Sequence, residues 1–344
     1  RWSPRSKSPS TRTENPTPRT MFRIFLTRLL QGIPVLLVVS AAAFGLCQFI
    51  GVAVSKMLPA DASVEDRGAL TAALGHADPV IVQYLRFLGN ALTGDFGMSL
   101  RHGAPVADLL MERLPATVEL ALPAVLVALI LGIPMGVFCA ARPKSLFSKL
   151  FLGGSLLGMS LPTFLLGIFL ILGFSVELGL LPAFGRGEVT RIGFWSTGLL
   201  TADGLRHLVL PVMTLGLFQT ALVVRLVRGE MLEVSERDFM KFGRARGLSP
   251  ARLLLRHGLK NAILPVVAVM GLQFGELVAF SMVTEPVFQW PGLGLFFLQS
   301  MQLADVPVLA AYLTFIALLF LLINLAVDLT IAAIDPRLAR PRAA

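Results

Sequence analysis

VPVLAAYLTFIALLFLLINLAVDLTIAAI, residues Val306 to Ile334, carries a single charged side chain, Asp328. A hydrocarbon core of about 30 Å is crossed by roughly 20 apolar residues rising 1.5 Å each in a helix. This stretch exceeds that length. A helix also satisfies every backbone N–H and C=O within itself, which an open strand in lipid does not. The stretch therefore reads as a transmembrane helix.

Five more runs have the same character: Leu29–Val54, Leu120–Ala141, Leu150–Val176, His207–Val224 and Asn261–Thr284, the last broken only by Glu276. Six spans account for a chain of 344 residues that is 55% hydrophobic and only 15% charged, with a mean hydropathy of +0.75. A soluble two-domain chain is excluded by that balance. The expected fold is an all-α polytopic membrane protein with six transmembrane helices. Lys and Arg gather before the first span, between the second and third, between the fourth and fifth, and at the tail, while the connection from Glu285 to Asp305 has neither. The positive-inside rule then places both termini in the cytoplasm. The formal charge of +9 is met by this topology and the lipid bilayer, with no nucleic acid partner required.

The organisation follows. Residues 1–20, rich in Ser, Thr, Pro and Arg, read as a disordered or non-native extension, with Met21 as the expected true start. Residues 21–54 hold the first, uncleaved span. Residues 55–113 form a long extracytoplasmic loop in which Ile81, Tyr84, Leu85, Leu88 and Leu92 share one helical face, suited to a bilayer surface or an outside partner. Residues 114–335 are the core of five spans and 336–344 a cytoplasmic tail. Gly132/Gly136, Gly154/Gly158 and Gly271/Gly275 allow close helix approach. Cys47 and Cys139 sit in apolar runs toward opposite faces, so no disulfide is expected.

Catalytic chemistry has no foothold. The four histidines fall in four segments, and H-E-x-x-H, C-x-x-C, G-x-S-x-G and the phosphate loop are absent. No cofactor or metal is expected on this chain, and it is not expected to be an enzyme. Within the spans, Glu276 shares a face with Leu272, Gln273 and Phe280. An ionised carboxylate in hydrocarbon is tolerated only when it meets water or a partner, so Glu276, Gln273 and Phe280 are candidates for a translocation path. Asp328 and Glu119, nearer the membrane edges, are assigned structural roles.

The strongest local signal is the connection 225–260, RLVRGEMLEVSERDFMKFGRARGLSPARLLLRHGLK. It reads as helix, break, helix: Gly247 can cap the first, and Ser249-Pro250 opens the second with Ser at the N-cap and Pro at the first helical position. Such a glycine-jointed, Arg-edged pair is a knob able to sit in a groove of another protein.

Here the sequence resembles the inner-membrane permeases of binding-protein-dependent ABC importers, in the branch carrying dipeptides, oligopeptides, nickel and related solutes. The acidic-aromatic pair of that family's loop is met as Asp238-Phe239. Its A-R-A-[KR]-G-L-S is met as Gly243-Arg244-Ala245-Arg246-Gly247-Leu248-Ser249, with Gly in place of the first Ala. His257 to Pro265, Thr284 to Gly294, Asp335-Pro336-Arg337, Val82 to Leu100 and Glu112 to Leu122 fit as well. The resemblance implies a bacterial inner-membrane subunit that pairs with a second, similar permease to form the path. It further implies two ATPase subunits carrying ATP and Mg, and an extracytoplasmic solute-binding protein. Asp238 to Ser249 would be the cytoplasmic coupling helix, with Arg244 and Arg246 giving charge-assisted contacts and Gly247 the turn. A secondary transporter or channel relaying ions through Glu276 and Asp328 is the rival, and it leaves the ordered basic loop unexplained.

Overall fold

The computed structural model describes residues 18–56, 78–99 and 101–334. The expectations for the N-terminal extension up to residue 17, for residues 57–77 of the first outer loop, for Leu100 and for Asp335 onward lie outside these. Among the described residues the chain is almost wholly helical: α1 Pro18–Lys56, α2 Val80–Leu92, α3 Val106–Ala141, α4 Leu146–Ser160, α5 Thr163–Glu177, α6 Ala202–Glu236, α7 Asp238–Ala245, α8 Pro250–Ala279, α9 Thr284–Val287, α10 Leu293–Gln302 and α11 Val306–Ile334. The exception to an all-α chain is a hairpin of two three-residue strands, β1 Thr190–Ile192 and β2 Trp195–Thr197, turning at Gly193 with φ +63°.

Among the described residues five helices are long and apolar enough to cross a membrane: α1 over Phe25–Leu46, α3, α6, α8 and α11 over Val306–Ala332. The expected span Leu150–Val176 is instead two helices, α4 and α5. Pro162 lacks an N–H and restricts Leu161 before it, so α4 stops at Ser160 and α5 starts anew at Thr163. The second span also begins earlier than hydropathy indicates. Glu112 and Arg113 are helical, and the Arg113 guanidinium lies 4.1 Å from the centre of the Phe296 ring.

Small residues set the helix pairing. A Cβ on Gly132 or Gly136 would fall 2.7 or 2.6 Å from a Val223 or Val227 carbon, which holds α3 tight along α6. Gly271 and Gly275 do the same for α8 against Val327 and Phe320 of α11, while Gly154 has open space around it. α1 lies along α11, joined by an ion pair from Arg28 to Asp328 at 2.9 Å. On α2, Tyr84 donates to the Leu37 carbonyl of α1 at 3.0 Å, but Ile81, Leu85 and Leu92 of its apolar face remain exposed.

Candidate functional site

α6 ends at Glu236, and Arg237 takes an extended conformation (φ −67°, ψ 149°) that turns the chain into α7. Asp238 opens α7, where a carboxylate favours the positive end of the helix dipole. Met240 and Gly243 face inward and are buried, whereas Phe239, Lys241, Phe242, Arg244 and Ala245 are exposed. α7 is thus a short amphipathic helix seated on the inner core.

The seat is close. A Cβ on Gly243 would lie 2.6 Å from Leu253 Cδ1, and one on Gly258 would meet the terminal methyls of Met231 and Met240 at 3.2 and 3.5 Å. Met231 belongs to α6, Met240 to α7 and Gly258 to α8, so three helices converge there. Leu253–Gly258 is a π-helical stretch at the start of α8. Its i→i+5 hydrogen bonds widen the turn, so that Leu253 and Gly258, five residues apart, both bury against this seat.

Gly247 has φ +76°, the left-handed region that glycine enters without steric penalty. Its N–H donates to the Arg244 carbonyl at 3.0 Å and that of Leu248 to the Gly243 carbonyl at 3.2 Å, closing the carbonyl end of α7. Ser249 does stand at the N-cap before Pro250, yet its side chain makes no capping hydrogen bond. The two arginines differ. Arg244 Nη2 donates to the Ser235 carbonyl at 3.0 Å, tying α7 back to the end of α6. The Arg246 guanidinium lies 4.9 Å from the centre of the Phe242 ring. With Phe239 and half-buried Leu248, Phe242 and Arg246 form an outward aromatic and cationic surface.

The intramembrane candidates form a separate group. Buried Gln219 of α6 donates to Gln273 Oε1 at 3.1 Å, and Gln273 donates to Glu276 Oε2 at 2.7 Å. Leu272 and Glu276 of α8 and Phe280, the residue that ends it, are exposed along one stripe. Asp328 is held by Arg28, so the two intramembrane carboxylates take different partners.

Hydropathy does not reveal the most deeply buried acids, which gather at the other end of the bundle. Glu119 accepts from Arg186 Nε at 2.7 Å, Thr197 Oγ1 at 2.9 Å, Gly198 N at 2.6 Å and Leu199 N at 3.0 Å, with Arg186 Nη2 also against it. This fastens the β-hairpin to α3. Glu285 accepts from Thr117 Oγ1 at 2.7 Å and from Leu295 N at 2.8 Å, while Trp290 Nε1 donates to the Ala116 carbonyl at 2.8 Å. Burial pushes the Glu285 carboxyl above the usual carboxylate range, opposed by hydrogen bonds from Leu295, Thr117, Ser281 and Gly294. Asp305 accepts from Ser99 Oγ and from the Arg101 N–H. Among the described residues no cluster of His, Cys, Asp and Glu is placed to hold a metal ion.

Residues 132–340 match the family model described as the binding-protein-dependent transport system inner membrane component. Residues 21–121 match its N-terminal companion model. The chain is 36% identical over 320 residues to the oligopeptide transport system permease protein AppB of Bacillus subtilis, covering 92% of this chain and 99% of the relative. It is 37% identical to the glutathione transport system permease protein GsiC of Shigella flexneri, covering 92% and 98%. It is 35% identical to the dipeptide transport system permease protein DppB of Alkalihalophilus pseudofirmus, covering 92% and 99%. A solved inward-facing structure of the MetNI methionine ABC transporter shares the fold, with a TM-score of 0.51 at 20% identity over 66% of this chain and 96% of that one.

Proposed function

The chain belongs to the binding-protein-dependent transport system inner membrane components, the permeases of ABC importers, and from that premise we propose that it forms half of a translocation path for peptides or a related small solute. It is a non-catalytic, multi-pass subunit of the inner membrane that works with a second, similar permease, two ATPase subunits binding ATP and Mg, and an extracytoplasmic solute-binding protein. Both termini lie in the cytoplasm, with α4 and α5 together serving as one of six crossings.

The observation that carries this reading is the seating of α7. Its inner face is locked onto α6 and α8 through Met240 and Gly243, while Phe239, Phe242 and Arg246 stand outward with nothing over them among the described residues. An exposed aromatic and cationic surface on a firmly held helix suits a groove in another protein. Asp238 to Ser249 is the coupling element: closure of the ATPases moves it, and α6 and α8 move with it. Arg246 meets the ATPase directly, whereas Arg244 keeps α7 joined to α6. The stripe of Leu272, Glu276 and Phe280, with Gln273 behind it, faces the path or the second permease, where the carboxylate finds water or a polar partner.

The test replaces Gly247 in the complex reconstituted into proteoliposomes. Gly247→Val forces a β-branched residue to φ +76°, a penalty of about 1–2 kcal/mol placed at the turn itself. Insertion and assembly should persist while ATP hydrolysis runs without uptake, and Gly247→Asn, which tolerates this conformation, should keep most uptake. Normal uptake by the Val variant refutes the coupling role. Uptake that survives ATP depletion and collapses with an uncoupler would favour an ion-driven carrier instead.

A further inference from the structure

Where α3 ends and α4 begins, an open cleft of about 370 Å³ is lined by Pro134, Met135, Phe138 and Phe147. Phe138 meets Phe147 edge-on at 5.5 Å, and Phe147 stacks on Phe151 at 6.1 Å, so one wall is a continuous aromatic ridge. Its lining is wholly apolar. From Met135 to Arg142 the helix rises about 10 Å, which puts the cleft below the level of the turn that follows it.

That turn is basic throughout. Arg142, Lys144 and Lys149 are exposed, and the Arg142 guanidinium sits 5.6 Å from the Phe138 ring centre, at the mouth of the cleft. No Asp or Glu occurs in the sequence between Glu119 and Glu177, and among the described residues none forms an ion pair with these three cations. The turn itself is held by Ser148, which donates to the Arg142 carbonyl at 2.8 Å, and by Ser145, whose Oγ receives the Ser148 N–H at 3.1 Å. Leu146 and Leu150 point outward beside the charges, 71% and 66% exposed, the pattern of a helix end at a lipid interface.

We propose that this cleft is a binding site for an anionic phospholipid: an acyl chain lies along Pro134, Met135, Phe138 and Phe147, and the headgroup phosphate is held by Arg142, Lys144 and Lys149. A phospholipid joins an apolar chain to an anion, as the apolar cleft with Arg142 at its mouth requires, and basic sites beside membrane helices select such headgroups. A protein partner would have to bury an apolar segment in the cleft and carry carboxylates to the same edge of the bilayer. The site shares no residue with the coupling surface or with the stripe on α8, and it does not depend on what the chain transports.

The experiment is native mass spectrometry of the full chain released from micelles containing equal phosphatidylglycerol and phosphatidylcholine. The wild type should retain phosphatidylglycerol about a hundredfold over phosphatidylcholine, the preference that three such charges supply. Arg142→Gln, Lys144→Gln and Lys149→Gln together should lower phosphatidylglycerol retention by about a hundredfold, near fivefold for each charge, and leave phosphatidylcholine unchanged. Met135→Trp, which fills the cleft, should reduce both lipids. Equal retention of the two headgroups, or phosphatidylglycerol retention that survives loss of all three charges, overturns the proposal. So does a photo-crosslinker at position 147 that captures a protein chain rather than lipid in native membranes.

Discussion

Replacing Glu119 tests whether the buried ion pair holds the extracytoplasmic hairpin. In Glu119→Gln the amide oxygen can still accept from Thr197, Gly198 and Leu199, but its NH2 then faces the Nε and Nη2 donors of Arg186. Arg186 has a side chain only 9% exposed, so its charge is left without a counter-charge. Breaking one side of a buried pair costs about 3–5 kcal/mol. Because the hairpin is fastened to α3 chiefly through Glu119, the loss should fall on local opening rather than on the whole bundle. Arg191, exposed on β1, is a trypsin site that reads such opening. A penalty near 3 kcal/mol raises the cleavage rate after Arg191 by about a hundredfold while opening remains in rapid equilibrium. In the double variant Glu119→Ala/Arg186→Met no buried charge remains, so its loss should fall short of the sum of the singles by more than about 1 kcal/mol. Cleavage of Glu119→Gln within twofold of wild type, or additive effects in the cycle, would refute this account.

Glu285 predicts a pH effect. Its folded-state pKa is raised, so the stabilisation it confers is complete below the ordinary glutamate pKa and is lost as pH climbs through the raised value. The unfolding temperature should therefore fall over that climb in wild type and stay flat in Glu285→Gln; parallel curves would contradict it. Gly136→Ala and Gly153→Ala should differ in sign. Alanine gains up to about 1 kcal/mol of helix propensity at both positions, but a Cβ at 136 sits 2.6 Å from Val227 Cβ and 2.9 Å from the Val224 carbonyl, against open space at 153. Denaturation midpoints in detergent should drop for the first and rise for the second, and equal shifts would count against the packing argument. Arg28→Ala should lower stability by less than about 1 kcal/mol, because Arg28 is half exposed beside Asp328; a larger loss in the same assay would mark the pair as desolvated by a partner or lipid.

The membrane class and the positions of α1, α6, α8 and α11 are legible in the sequence because lipid imposes a length and a composition on each crossing. Hydropathy does not place the start of α3, since Glu112 and Arg113 are helical without being apolar, and it passes over the break at Pro162 because proline hardly lowers a window of Leu and Phe. The turn at Gly247 to Pro250 is readable because Gly247 and Pro250 act through local backbone geometry, whereas the break at Arg237, which splits the expected helix Arg225 to Arg246, carries no glycine or proline to mark it. The roles of Glu119, Glu285 and Asp305 are not, because their partners Arg186, Thr117 and Ser99 lie far along the chain and meet them only after folding. For the same reason the sequence cannot separate Arg244, which binds the Ser235 carbonyl, from Arg246, which stacks on Phe242.

Where α6, α7 and α8 converge, the meeting surface is two methionine methyls resting on a glycine backbone. Methionine is unbranched and polarisable, and it refills irregular space at little energetic penalty as its neighbours shift. The thioether tips suit a joint that must carry a push from α7 to both long helices, because they keep the contact filled while the three helices shift together.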